Sequence, residues 1–135
     1  MMVKLQDIVD AMEMADQESD NYLDLENGEI VWISEMAMSL KEQQELSDRL
    51  DEHGCVQLPS SYDIRDYDIL TDFIETLPED AQDKLRPQVQ GRGAFSRFKN
   101  AIIQLEIDQD WYAFKEEMYR KKAIEWCEEN EIEYV

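Results

Sequence analysis

The sequence predicts an α+β fold, mostly α-helical, with about five helices packed against a small antiparallel β-hairpin at residues ~21–34. A C-terminal strand is available to extend that hairpin. Three observations carry the prediction. Apolar residues recur at helical spacing along most of the chain. One Asn-Gly step lies between two runs of β-formers. No repeat, low-complexity tract or Pro/Gly-rich linker interrupts the 135 residues, so a single compact domain over 1–135 is expected.

The elements follow in order. Leu5, Ile8, Val9 and Met12 share one helical face, which places a helix at about residues 4–15. After the polar break DQESDN, the run NYLDLENGEIVWIS reads as a hairpin, with Asn27-Gly28 supplying positive φ angles for a tight turn. Its second arm, residues 30–33, is an unbroken apolar run, as expected of a strand covered on both faces. A polar helix over 39–52 has Leu40, Leu46 and Leu50 as anchors, and CVQLP gives a short extended piece. SSYDIRDYDILTDFIETL opens with serine caps and early aspartates, and Tyr67, Leu70, Phe73, Ile74 and Leu77 form its stripe. The next helix, PEDAQDKLRPQVQ, buries Ala81, Leu85 and Val89, and Pro87 kinks or ends it. After Gly91-Arg92-Gly93 comes a helix facing inward through Phe95, Phe98, Ile102 and Leu105. The last helix, about 109–130, carries two stripes, one with Trp111, Phe114 and Met118, the other with Tyr112, Tyr119, Ala123 and Trp126. The tail EIEYV reads as a short strand.

Charge separates the function classes. The formal net charge is −20. Residues 1–83 hold 23 acids and four bases, residues 84–105 no acid and five bases, and residues 106–135 ten acids and four bases. A field of this sign repels phosphate backbones over roughly 8–10 Å and disfavours nucleic acid as a partner. Basic proteins and cations fit it better. No secretory signal and no apolar window long enough to span a membrane are visible, so no membrane partner is expected. Cys55 and Cys127 stand far apart with no CxxC, as expected of reduced thiols in a cytoplasmic protein.

Few residues are arranged for chemistry. His53, the single histidine, has Gly54-Cys55 beside it, but catalytic partners usually meet through the fold rather than the sequence. A histidine in a helix C-terminal turn, favoured by the dipole, is the simpler reading. Asp63, Asp66, Asp68 and Asp72 could gather around a hard cation, yet EF-hand spacing is absent and a solvated acidic face explains them. His53, Cys55 and Cys127 lack zinc-site spacing. No metal, cofactor or catalytic set is therefore assigned, and the enzyme question leans to no. The aromatics of the last helix read as core.

The stretch QGRGAFSRFKNAI gathers the positive charge. Two glycines precede a helix whose first amides point outward and attract anions. Gly91, Arg92, Gly93, Ser96, Arg97 and Lys99 are the candidate site for an anion or an acidic partner. The pattern lacks the third glycine and the strand of a dinucleotide fingerprint, and no Walker pattern is present. It resembles a helix-hairpin-helix turn only loosely, since Arg92 stands where that element has an apolar residue. The bland reading is a tight helix–helix turn whose bases pair with acids of the same chain.

Several blocks in order also carry a family resemblance: LPSSYDIRDYDILTDFIETL, then GRGAFSRFK, DWYAF and IEWCEENEIEY, with YLDLENGEIVWIS as a looser outlier. Over roughly residues 58–134 the chain resembles the bacterial uncharacterised protein family 0158. The resemblance implies a bacterial or phage cytoplasmic protein in which GRGAF and WY belong to a shared framework. It implies no activity, cofactor or catalytic residue. The functional expectation is a non-enzymatic acidic binding or adaptor protein engaging a basic protein partner. The alternative is an anion- or nucleotide-phosphate-binding protein, conceivably an enzyme, using residues 91–99.

Overall fold

A computed structural model describes residues 2–135, and the order of elements within it follows the hydrophobic pattern closely. Two compact units emerge, one from residues 2–64 with Tyr119–Val135, the other from Arg65–Met118. The first unit begins with β1 (Met2–Val3) and α1 (Leu5–Glu13), whose Leu5, Ile8, Val9 and Met12 are all buried as their spacing requires. Next come β2 (Ser19–Asp24) and β3 (Ile30–Ser34), then α2 (Leu40–His53) and β4 (Cys55–Gln57). β2 is the centre of a three-stranded antiparallel sheet, with β3 on one side and β4 on the other. The hairpin is thus extended by β4. The C-terminal strand β5 (Glu133–Tyr134) forms as expected but joins a different partner: it lies parallel to β1, with Met2 opposite Glu133 and Val3 opposite Tyr134. β4 occupies the outer side of β2, and β5 leaves the outer edge of β3 unpaired.

Local chemistry accounts for other departures. Of the hairpin's Asn27-Gly28 pair, Gly28 alone has positive φ, at 76°. The loop is wider than a two-residue turn: Gly28 donates its amide to the Asp24 carbonyl, and the Asn27 side chain accepts from the Glu29 amide. Ser39 caps α2, its hydroxyl accepting from the Glu42 amide and lying within donating distance of the Glu42 carboxylate. Of its expected anchors, Leu50 is buried while Leu40 is 84% exposed. Nor is β3 covered on both faces, for Trp32 is exposed.

The second unit takes over where one expected helix breaks. α3 (Ser61–Ile64) and α4 (Asp66–Glu75) are separated by Arg65, whose φ of 53° places it in the left-handed region. α5 (Glu79–Leu85) gives way to a 3₁₀ turn (Arg86–Val89), because Pro87 has no N–H for an α-helical bond. α6 (Ala94–Gln104) and the first part of α7 (Asp108–Glu129) complete the unit. Phe73 lies 6.2 Å from Phe98 and 5.4 Å from Trp111 between ring centroids, and Phe98 lies 5.0 Å from Trp111, all edge to face. Such pairs add about 0.5–1.5 kcal/mol each beyond burial. Phe95, expected in the core, is part-exposed and meets the ring of Tyr67 at 6.5 Å. Of the residues on the two aromatic stripes of α7, Trp111 is buried and belongs to the second unit, Tyr119, Ala123 and Trp126 are buried and belong to the first, and Tyr112, expected on the second stripe, is exposed.

Candidate functional site

The GRG corner builds itself around one side chain. Arg97, in the first turn of α6, folds back and donates three hydrogen bonds to backbone carbonyls: Nε to Gln88 at 2.8 Å, Nη1 to Arg92, and Nη2 to Gln90. The 3₁₀ turn and the bend after it leave these carbonyls without helical partners, and the planar guanidinium fork reaches all three. Gly93 makes room for it. Its φ is 76°, and a Cβ placed there would lie 3.0 Å from Arg97 Nη1. Gly91 also has positive φ, while Arg92, Ser96 and Lys99 are exposed. Arg97, part-exposed, therefore turns its guanidinium onto the loop that precedes its helix.

The acids of residues 63–72 have local work. Asp63 accepts from the Ser60 amide and hydroxyl, both at 2.9 Å, as a helix cap does, and Asp68 lies 3.7 Å from Arg65. Among the described residues, no group of three or more His, Cys, Asp and Glu side chains is arranged to hold a metal ion.

One cluster escaped sequence reasoning. Asp24 closes β2 and is the single buried charged residue among those described, 1% exposed. Its carboxylate meets His53 Nδ1 at 2.8 Å and accepts from the Glu26 amide at 2.9 Å. The other ring nitrogen, Nε2, lies 2.8 Å from the Glu26 carboxylate. Burial pushes the Asp24 carboxyl upward, but the His53 hydrogen bond and the amides of Glu26 and Asn27 outweigh it and hold it below the usual 3.8. The Asp24 hydrogen bond raises His53 above the usual 6.5 against its own desolvation, and the charges of Asp24, Glu26 and Glu52 add to it. A protonated imidazole donating to two carboxylates ties the end of α2 to the hairpin loop. With both nitrogens engaged, it is not free to serve Cys55 as a base. The sole histidine in a helix's last turn was the available signal, but nothing local pairs it with a residue 29 positions earlier.

One hollow lies in the first unit, between α1, β1 and the hairpin. It measures about 680 Å³ and has Met14, Ile30 and Trp32 among its apolar walls. Asp7, Asp10 and Glu29 border it, with Lys4 the one base of its lining among the described residues. A second hollow of about 450 Å³ adjoins Pro59 and Trp126 and is edged by Asp63, Glu125, Glu129 and Lys122.

The pattern of blocks around these features is shared with other proteins. The profile of the Uncharacterised protein family (UPF0158) matches residues 1–135, well beyond the blocks after Leu58. The chain belongs to this family. A UPF0158 protein of Pseudomonas aeruginosa is 31% identical over 116 residues, which cover 84% of this chain and 74% of the relative. UPF0158 proteins of Chlamydia trachomatis and Chlamydia muridarum are each 26% identical over 141 residues, covering 100% of this chain. This chain spans 42% of the length of those two chlamydial UPF0158 proteins. No solved structure matches it. Among the described residues, no helix is long and apolar enough to cross a membrane.

Proposed function

We propose that this protein is a non-enzymatic binding or adaptor protein whose acidic body engages a basic protein partner. One observation carries the reading: of 33 acidic residues against 13 lysines and arginines, Asp24 alone is buried among those described. The remaining carboxylates reach solvent, where their summed field steers cationic partners and repels anionic ones. The free thiols of Cys55 and Cys127 support a reducing, cytoplasmic setting. Capture from a bacterial lysate at low salt, followed by a salt gradient, tests the proposal. Recovered partners are expected to be enriched in basic proteins and to elute as salt rises. A recovered set no more basic than the lysate, or insensitive to salt, would sink it.

The alternative, an anion or nucleotide-phosphate site at Gly91, Arg92, Gly93, Ser96, Arg97 and Lys99, draws support from the exposure of Arg92, Ser96 and Lys99. It has less behind it, because three donors of Arg97 already serve backbone carbonyls. Stabilisation by inorganic phosphate or ATP that vanishes in Arg92→Ala would favour this second reading.

A further inference from the structure

The two margins of the three-stranded sheet are finished differently. The Asp24 amide donates to Glu29 and the Glu35 amide to Glu18, at 2.8 and 2.9 Å, which fixes the parity of the β2–β3 ladder. Val31 and Ile33 therefore exchange hydrogen bonds with β2, and the N–H and C=O groups of Ile30 and Trp32 point the other way. Among the described residues, neither has a backbone partner on that side. On the opposite margin, the outward carbonyl of Gln57 in β4 accepts from the Trp126 indole at 2.8 Å. One edge is stoppered and the other is open. The open one, Ile-Val-Trp-Ile-Ser, carries no charge and no proline, and at its end the outward Ser34 carbonyl accepts from the Met38 amide.

The 680 Å³ hollow opens beside this edge. Ile30 and Trp32 share a sheet face with Asn21, whose side-chain amide donates to the Ala11 carbonyl of α1, so their side chains line the hollow under α1. Asp7, Asp10 and Glu29 stand around it against Lys4. We propose that the open edge of β3 is a docking site for an extended basic segment of another protein, which adds to the sheet as a fourth strand. Main-chain hydrogen bonds to Ile30 and Trp32 supply affinity, and alternate side chains enter the hollow. Lysine or arginine suits those positions, its stem lying over Trp32 and its charge reaching the carboxylates. A second copy of this chain fits less well, since two bodies of −20 would have to meet.

The inference rests on the basic-partner reading, and the experiment separates the two. A short fluorescent peptide alternating valine with lysine or arginine is titrated at low salt and followed by anisotropy. N-methylation of the alternate amides that face β3 is expected to weaken binding about tenfold or more, because several main-chain bonds vanish at once. Methylation of the intervening amides should leave it unchanged. In the protein, Ile30→Pro removes an outward N–H while sparing the β2 ladder, and should weaken binding similarly with an unchanged circular dichroism spectrum. The methylated peptides use the native protein, so the test stands even if that variant misfolds. Binding indifferent to both changes overturns the docking edge but leaves the basic-partner reading intact. Equal, methylation-sensitive binding of an uncharged valine–threonine peptide overturns the basic occupant and the functional reading with it. Absence of any peptide binding, or a protein dimer that Ile30→Pro dissociates, overturns the proposal.

Discussion

Single residues in this protein hold loops to elements, and the His53 staple shows how. Its folded-state pKa lies above 6.5, so its stabilisation is fully present below that value and fades as pH rises through the raised pKa. Asp24 works in the opposite sense: its contribution is present above 3.8 and is lost as pH falls through its depressed folded-state value. The pair therefore stabilises most in the window between them. His53→Gln should lower Tm most at about pH 5, and the gap to the native protein should narrow toward about pH 9. Thermal melts at several pH values check it, and a gap that widens with pH would contradict the staple. Arg97 does comparable work for the GRG corner, the segment that sequence reasoning singled out as a candidate anion site. Charge and glycine placement were visible in the sequence. The back-folding of one guanidinium onto three carbonyls depends on a 3₁₀ turn that only the folded chain displays.

At the scale of elements, helix ends reveal where the chain carries removable strain. α6 and α7 both close in Schellman fashion, with Ile107 donating to the Ile102 carbonyl and Ile132 to Cys127. The left-handed residue in each motif is a glutamate, Glu106 at φ 59° and Glu131 at φ 57°, where glycine is usual. Glu106→Gly and Glu131→Gly should each stabilise the protein by about 1 kcal/mol, as read by urea melts. Destabilisation by either would mean that the glutamate side chain holds something the backbone geometry hides. Helix periodicity, the serine caps and Pro87 were legible because their causes lie within a few residues. The partner of β5 and the break at Arg65 were not. Strand pairing depends on which distant segments the fold brings side by side, and Arg65 carries no residue-type signal for a left-handed φ. The run 30–33 was misread for a related reason: continuous apolar character fits a buried strand and an unfinished edge equally well.

For the whole molecule, charge and chain order matter more than any single contact. Family membership was legible from separated blocks, while function was not, because the sequence displays a charge imbalance without a chemical centre. The two units differ in how far their pieces lie apart along the chain. Residues 65–118 are contiguous and pack Phe73, Phe98 and Trp111 together. The other unit joins Met2 to Glu133. Closing so long a loop is entropically slower than local packing. Pulse-labelled hydrogen exchange during refolding should protect amides of α4 and α6 before that of Leu5, which donates to Val135 across the β1–β5 seam. Simultaneous protection would indicate one cooperative step. During synthesis the same pairing sets a timetable: β1 leaves the ribosome before β5 and waits for it, while residues 65–118 emerge in between. Until translation reaches Tyr134, the first unit is a nascent chain lacking one strand and the second half of α7. In that interval a chaperone would meet α1 with one side of its support missing.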